Sequence, residues 1–581
     1  MSYMDRYKSW LDSEYVDDNT KEELLAIQND SNEIEDRFYK DLEFGTAGLR
    51  GIIGAGSNRM NIYSVGLTTQ GLANYITKWG QKGRDGGVVI AYDSRIMSKE
   101  FAEYAAGVLC ANGIKAYLFN TITPVPILSF AIKKMGCISG IMITASHNPS
   151  QYNGYKVYWK EGYQLIPSMA DEISEEINKI STFKQINIMA KETAMDKGLY
   201  SPVDSSIYED FTEVIISQCL NKDLIRDHHD ALSIVYSPLH GSGYNPIKKA
   251  LSSAGFSRVH IVEEQAKPDG DFPTVEVPNP EDPNVFKMAK SLALKNNGEI
   301  IIATDPDADR VGIAYRNDHG AYVNLTGNQI GCIIEYYILT QLKQRSLLPE
   351  NGVIIKSIVT TELAQIIADD FNIKLENTLT GFKYIGEKIE EYQNTKIKKF
   401  IMGFEESYGY LIGDHARDKD AVGTSLVLCE MALYYKLQNK SLGEVLKEIY
   451  EAYGYYLEDI QSITLEGKEG RIKLQRVSDF FRRNLPMKWA GKRVTFIEDY
   501  LLSKKTIVGE GTTSIVLPTS NVLKVYLEGN SWFCIRPSGT EPKIKIYFSI
   551  KSSSEQEAKE FLSILKSEVM EKAIEAQNST T

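Results

Sequence analysis

Cysteine is scarce in this chain: six residues (Cys110, Cys137, Cys219, Cys332, Cys429, Cys534) in 581, with no CxxC spacing and no pairing pattern. That excludes a disulfide framework and reads as reduced thiols in a cytoplasmic protein. No apolar run approaches bilayer-spanning length. The opening stretch MSYMDRYKSWLDSEY is polar and charged, unlike a signal peptide. Basic charge is also short, with 65 Lys and Arg against 77 Asp and Glu and a formal net charge of -12. A chain this acidic is unsuited to non-specific binding of nucleic acid or an anionic membrane. An anionic ligand would need positive charge gathered locally. Low-complexity segments and short solenoid repeats are absent. None of these features indicates an oligomeric state.

What remains is an ordinary globular composition, 43% hydrophobic and 24% charged. A chain of this length exceeds one hydrophobic core, so several domains are expected. The runs GGVVIAYDSR (86–95), ALSIVYSPLHG (231–241), GEIIIATDPDADR (298–310) and NGVIIKSIVTT (351–361) share a design. Each is a β-branched run of strand length that ends in a polar loop, and several lead into helix-like stretches. Repeated strand-loop-helix units predict an α/β fold with largely parallel sheets. Ligands bind such sheets at the carboxyl ends of strands. Polar segments at 183–210 and 316–329 read as junctions, and EIYEAYGYYLEDI (448–460) as the end of a long helical region. The shorter helices and strands that follow predict an α+β unit, with a frayed tail.

Several loops carry chemistry. DPDADR sets Asp305, Asp307 and Asp309 two apart just past a strand, a spacing that turns extended residues to one side. Three converging carboxylates repel unless a cation holds them, and an all-aspartate set suits Mg²⁺. An EF-hand needs Gly sixth and Glu twelfth, where this chain has Arg310 and Arg316. RPSGTEPK (536–543) brings Arg536, Ser538 and Thr540 around Gly539, a turn able to face an anion. FGTAGLRG (44–51) ends its glycines with Arg50. GFEESYGYLIGDHARDKD (403–420) offers Glu405, Glu406 and Ser407, then His415, Arg417 and Lys419. SPLHGSG (237–243) lacks the third glycine of a dinucleotide loop and reads as a strand-to-helix turn, with His240 structural. In TASHNPSQYNGYKVYW (144–159), Ser146 and His147 are adjacent. Sequence neighbours point apart, so a serine–histidine nucleophile pair is a poor reading.

Taken in order, FGTAGLRG, TASHNPSQYNGYK, DPDADR, GFEESYGY and RPSGTEPK resemble the α-D-phosphohexomutases over nearly the whole chain. Length and the GFEESYGY form resemble the larger phosphoglucomutase/phosphopentomutase branch. The resemblance implies three similar mixed α/β domains plus a C-terminal α+β domain around a central cleft, divided here at 1–204, 205–322, 323–455 and 456–581. It implies a phosphorylated Ser146, and Mg²⁺ bound by Ser146 with Asp305, Asp307 and Asp309. Arg50 and His147 would attend the transferring phosphoryl group, with Lys156 as general base and Lys419 as acid/base on the other side. A base lysine must be partly deprotonated, which burial and neighbouring cations favour. Glu405, Ser407, Arg310 and Lys383 would serve the substrate, and Arg536, Ser538, Gly539 and Thr540 the non-reacting phosphate. The implied reaction exchanges phosphate between C1 and C6 of glucose through glucose 1,6-bisphosphate, with small-molecule sugar phosphates as the only partners. Phosphopentomutase, phosphomannomutase and bisphosphate synthase remain alternatives of the same class. A non-catalytic sugar-phosphate binder and a metal-dependent phosphatase are rivals. The first leaves Ser146, the aspartates and both lysines without purpose, and the second needs no far phosphate site.

Overall fold

The β-branched runs Val88–Tyr92, Ile234–Ser237, Ile300–Thr304 and Gly352–Ser357 are strands buried along their whole length. Continuous apolar strands are what a sheet covered on both faces requires. They belong to a computed structural model describing residues 2–45, 48–465, 467–538 and 543–578.

In the first sheet Val88–Tyr92 lies between Ala116–Leu118 and Ser139–Ile143, all parallel, and Tyr152–Trp159 returns antiparallel beside the last. The second sheet repeats this order with Ile234–Ser237 between Val259–Ile261 and Ile300–Thr304, and Val311–Arg316 returning. The third does so with Gly352–Ser357 between Lys374–Thr378 and Lys399–Glu405, and Gly409–Ile412 returning. The first three units are thus alike in topology, a kinship the sequence pattern alone did not demonstrate. Each antiparallel return starts at the carboxyl end of a parallel strand. The three returns carry Ser146, Asp305 to Asp309, and Glu405 to Ser407. The fourth sheet is wholly antiparallel, running Tyr455–Thr464, Lys543–Ser552, Trp532–Pro537, Leu523–Leu527, Lys492–Asp499, Lys504–Ile507, Gly511–Ser514. Helices Gly467–Arg483 and Glu555–Asn578 pack on it through Val477, Phe481, Leu565 and Val569. The α/β reading with a differing last domain holds.

Some local readings change. The helix Leu442–Tyr453 stops at Gly454, whose φ of 96° breaks it, and Tyr455–Ile460 open the fourth sheet instead of extending the helix. The polar stretch after 183 contains Tyr200–Pro202, the last strand of the first sheet. The tail is helical through Asn578. The first forty residues, without a motif, form three short helices around Tyr7, Trp10, Leu24, Ile34 and Phe38. They brace the loop behind Arg50: Arg37 donates to the Ala55 carbonyl, and Arg59 pairs with Asp36.

The fourth unit is fastened to the third by a buried ion cluster. Lys524 donates to Glu362 at 2.8 Å and to the Ile358 carbonyl at 2.7 Å, and Lys356 lies 3.3 Å from the same carboxylate. Lys524 also sits 4.0 Å over the Trp532 ring. Burial would raise Glu362, but the two lysines outweigh it and hold the carboxyl down at about 2 from 4.5. A depressed folded-state value contributes stability that is present above about pH 4.5 and lost as pH falls toward 2. Glu362→Gln leaves two buried ammonium groups facing a neutral amide, so it should cost roughly 3–5 kcal/mol at pH 7. Urea unfolding followed by tryptophan fluorescence should show a lowered midpoint. The variant should also have lost that part of the wild-type acid sensitivity.

Candidate active site

Past the strand Ile300–Thr304 the chain turns sharply, with Ala308 at φ 49°. Asp305, Asp307 and Asp309 are buried, and one oxygen from each lies within 4.8 Å of the others. Asp307 Oδ1 and Asp309 Oδ1 are enclosed without a hydrogen-bond partner. Buried carboxylate oxygens that converge yet accept nothing fit the donor set of a hard divalent cation. Burial and the other two carboxylates push Asp305 well above the usual range. Backbone contacts from both neighbours fix the loop. Val125 N, opening a helix of the first unit, donates to Asp307 O at 2.9 Å, and Ala421 N, opening a helix of the third, to Ala308 O at 3.2 Å. From behind, Ser242 N and Oγ both donate to Pro306 O at 2.8 Å. Gly241 passes so close that a Cβ there would stand 2.5 Å from Pro306 Cα. SPLHGSG is therefore a brace, and His240 is structural, bonding Thr274 Oγ1 and the Lys267 carbonyl.

Ser146 projects from its loop at φ 50° and donates through Oγ to Asp305 Oδ2 at 2.8 Å. Its Oγ also lies 3.2 Å from His147 Nδ1, so these two sequence neighbours do not point apart as expected, the backbone turning at Ser146 with φ 50°. Burial and the charges of Arg310 and Arg50 hold His147 well below its ordinary value. Arg50 donates to Asn148 Oδ1 at 3.0 Å, so it stands beside this loop. Arg310 pairs with Glu281, a partner the sequence reading missed.

Lys156 lies on the return strand Tyr152–Trp159 and donates to Asp307 Oδ2 at 2.8 Å, with Asp309 Oδ2 at 3.6 Å. Lys419 reaches Asp309 Oδ2 at 3.0 Å from the opposite unit. The expectation of a lysine lowered by burial and nearby cations is not met. Burial acts downward, but Asp307 and Asp309 outweigh it and raise Lys156, and Asp309, Asp418 and Glu405 raise Lys419. The reason is proximity, because each ammonium touches a carboxylate. Conversely, burial would raise Asp309, but Lys419, Lys156 and Arg310 hold it far below the usual range. Asp418 steadies Lys419, accepting from its backbone and its Nζ. Tyr158 OH and Gln164 Nε2 hold Asp418 from the first unit, each at 2.9 Å. The signal for Tyr158 was available: it is two residues past Lys156 on one strand face. The side chains of His415 and Arg417 are enclosed. His415 bonds Asp420, which caps the next helix, and Arg417 grips Glu390.

The remaining expected residues belong to the third and fourth units. Glu405 is buried and accepts from Gly381 N at 2.7 Å, and burial and Glu406 push it up to about 7. Glu406 is held by Ser357 and Thr360. Ser407 is half-buried at the tip of the turn. Burial brings Lys383 down to about 8, with Glu405 and Arg536 within electrostatic reach. Arg536, on the fourth sheet, donates to Tyr547 OH at 3.3 Å and feels Glu406 and Glu405. Ser538 follows it, half-buried, while Gly539 and Thr540 lie outside the described residues. Lys545, opposite Arg536 in register, feels Glu281, Glu406 and Arg310, so side chains of the last three units meet here. Among the described residues, no helix is long and apolar enough to cross a membrane.

Four family profiles match in order: phosphoglucomutase/phosphomannomutase alpha/beta/alpha domain I at 41–184, domain II at 209–320, domain III at 326–453 and the C-terminal domain at 500–566. A phosphoglucomutase of Staphylococcus aureus strain MRSA252 is 38% identical over 526 residues, 90% of this chain and 92% of that protein. In solved structures, the fold is similar to a putative phosphomannomutase from Thermus thermophilus, at TM-score 0.67 and 21% identity over 91% of this chain and 99% of that one. It is also similar to the open form of the Paramecium phosphoglucomutase parafusin, at TM-score 0.66 and 18% identity over 93% and 95%. With every unit matched in order and a relative of this identity along nine-tenths of its length, the chain belongs to the phosphoglucomutase/phosphomannomutase family and is a phosphohexomutase, an isomerase that relocates a phosphoryl group.

Proposed function

We propose that this enzyme interconverts glucose 1-phosphate and glucose 6-phosphate, with Ser146 as the phosphoryl carrier and glucose 1,6-bisphosphate as the intermediate. The observation that carries the reading is Ser146 Oγ at 2.8 Å from Asp305, one of an aspartate cluster whose other members pair with two lysines from different units. Relatives named phosphoglucomutase, at 37–38% identity, support glucose as the sugar. Asp305, Asp307, Asp309 and Ser146 would hold Mg²⁺, which when bound supplies charge stabilisation to phosphoryl transfer.

The chain's own residues do the rest. The Oγ–P bond of phospho-Ser146 breaks as a sugar hydroxyl oxygen bonds to phosphorus, and Lys156 relays the proton, giving one from its ammonium to the Ser146 Oγ released and taking the hydroxyl's in its place. Arg50, His147 and Arg310 line the path of the group. Glu405 and Ser407 grip sugar hydroxyls, and Lys383 stands beside them. Arg536, Ser538, Gly539 and Thr540 anchor the phosphate that does not react. Once the bisphosphate has turned over, Ser146 Oγ bonds its other phosphorus as that sugar O–P bond breaks, and Lys419 gives a proton to the sugar oxygen released while the proton lost by Ser146 Oγ replaces it.

Intact-mass analysis should find one phosphate on the protein after incubation with glucose 1,6-bisphosphate. Ser146→Ala should carry none and should lose turnover by roughly 10³-fold or more, as for a missing nucleophile. An active enzyme never phosphorylated at Ser146 overturns the mechanism. EDTA should abolish activity and Mg²⁺ restore it, and Asp307→Asn should lower metal content measured by mass spectrometry. Unchanged metal content in that variant would locate the ion elsewhere. Arg536→Ala removes a charge-assisted contact of about 1.5–3 kcal/mol, so kcat/KM should fall roughly 10- to 150-fold. Release of free bisphosphate should rise, and with it the dependence on added bisphosphate.

A further inference from the structure

One fully buried cation near the site has no role in the reading above. Arg95 follows the strand Val88–Tyr92, and its side chain is 0% exposed. Its guanidinium donates to four carbonyl oxygens of one loop: Ser146 O and Asn148 O from Nη2, both at 2.5 Å, and Pro149 O at 2.9 Å and Tyr152 O at 3.0 Å from Nη1. Nε faces Asp93 Oδ2 at 3.5 Å. That carboxylate oxygen also accepts from Thr144 Oγ1 at 2.6 Å, and Thr144 Oγ1 in turn accepts from Ser146 N at 2.8 Å. Ser98 Oγ and Arg95 N hold the other Asp93 oxygen. The peptide groups on both sides of Ser146 are therefore fixed by one Asp-Arg pair, at a residue whose φ of 50° is unfavourable for a side chain.

The second unit covers the clamp. The Phe272 ring lies 4.9 Å from the Arg95 guanidinium carbon, with Phe272 itself 1% exposed and at φ 50°. Gly270 packs so tightly against Ile96 that a Cβ there would stand 2.5 Å from its backbone nitrogen. The segment carrying both is tied through Thr274 to His240, in the same turn that braces the aspartate loop.

We propose that Arg95 is a positioning residue for phosphoryl transfer, gripping the loop so that Ser146 Oγ meets the aspartate cluster, with Phe272 closing the clamp from the second unit. The assignment rests on Ser146 as the carrier. A planar fork can reach four carbonyls where an ammonium cannot, so geometry rather than charge is the property at stake. Misplacement of a reacting group by about 1 Å can cost on the order of 10²-fold.

The test compares wild type, Arg95→Lys and Phe272→Leu. The readouts are thermal melting, kcat and KM for glucose 1-phosphate, and the rate at which glucose 1,6-bisphosphate phosphorylates Ser146, followed by rapid-quench intact mass. Arg95→Lys, which keeps the charge, should lower kcat and the phosphorylation rate per folded molecule by roughly 10- to 100-fold with KM within about twofold. Phe272→Leu should move both in the same direction by less. If Arg95→Lys melts lower but its folded fraction phosphorylates Ser146 and turns over at wild-type rates, Arg95 is only a structural residue and the assignment falls alone. A wild-type enzyme that turns over without ever phosphorylating Ser146 would instead remove the carrier reading, and this assignment with it.

Discussion

Three buried carboxylates that converge on one another are the constraint on which the rest of this molecule depends. Asp305, Asp307 and Asp309 sit in the interior with oxygens within 4.8 Å of one another. Their repulsion is answered from both sides, by Lys156 of the first unit and Lys419 of the third. Backbone amides opening a helix in each of those units bind the same loop. Opposing charge recruited from separate folding units turns a local electrostatic problem into an interdomain bond. Breaking one partner leaves an uncompensated buried charge, which is why such networks resist change.

The threefold use of one topology makes this possible. A parallel strand followed by a tight antiparallel return places a polar loop at the sheet's carboxyl edge, and three such loops face one another. Each carries a non-glycine residue at positive φ, namely Ser146, Ala308 and Tyr408. Strain of that kind persists only where surrounding contacts over-determine it. Here those contacts are specific: Arg95 and Asp93 behind Ser146, Ser242 and Gly241 behind the aspartates, and Thr360 behind Glu406.

Both signs of charge are concentrated in the site. Beside the aspartates and their two paired lysines, Arg50, Arg310, Lys383, Arg536 and Lys545 lie within electrostatic reach of His147, Glu281, Glu405 and Glu406. An acidic chain thus keeps an island of cations where a sugar phosphate would lie, as binding a dianion from such a background demands. The buried ion cluster of Glu362 fastens the fourth unit, and with it Arg536, to the third.

Sequence alone determined the strands, the α/β class and the differing last unit, because β-branched runs act locally; it also singled out the aspartate triad, although a sharp turn at Ala308 and not extended backbone brings those carboxylates together. The motif order identified the family. Only tertiary structure revealed that Lys156 and Lys419 touch the same carboxylate cluster, that Tyr158 reaches Asp418 across 260 residues, and that Arg95 grips the loop of Ser146. It also reversed the expected shift of the lysines. The reason is physical: hydrogen bonds and charge coupling depend on distances of a few ångströms between segments far apart in the chain. No local pattern encodes those distances until the units pack.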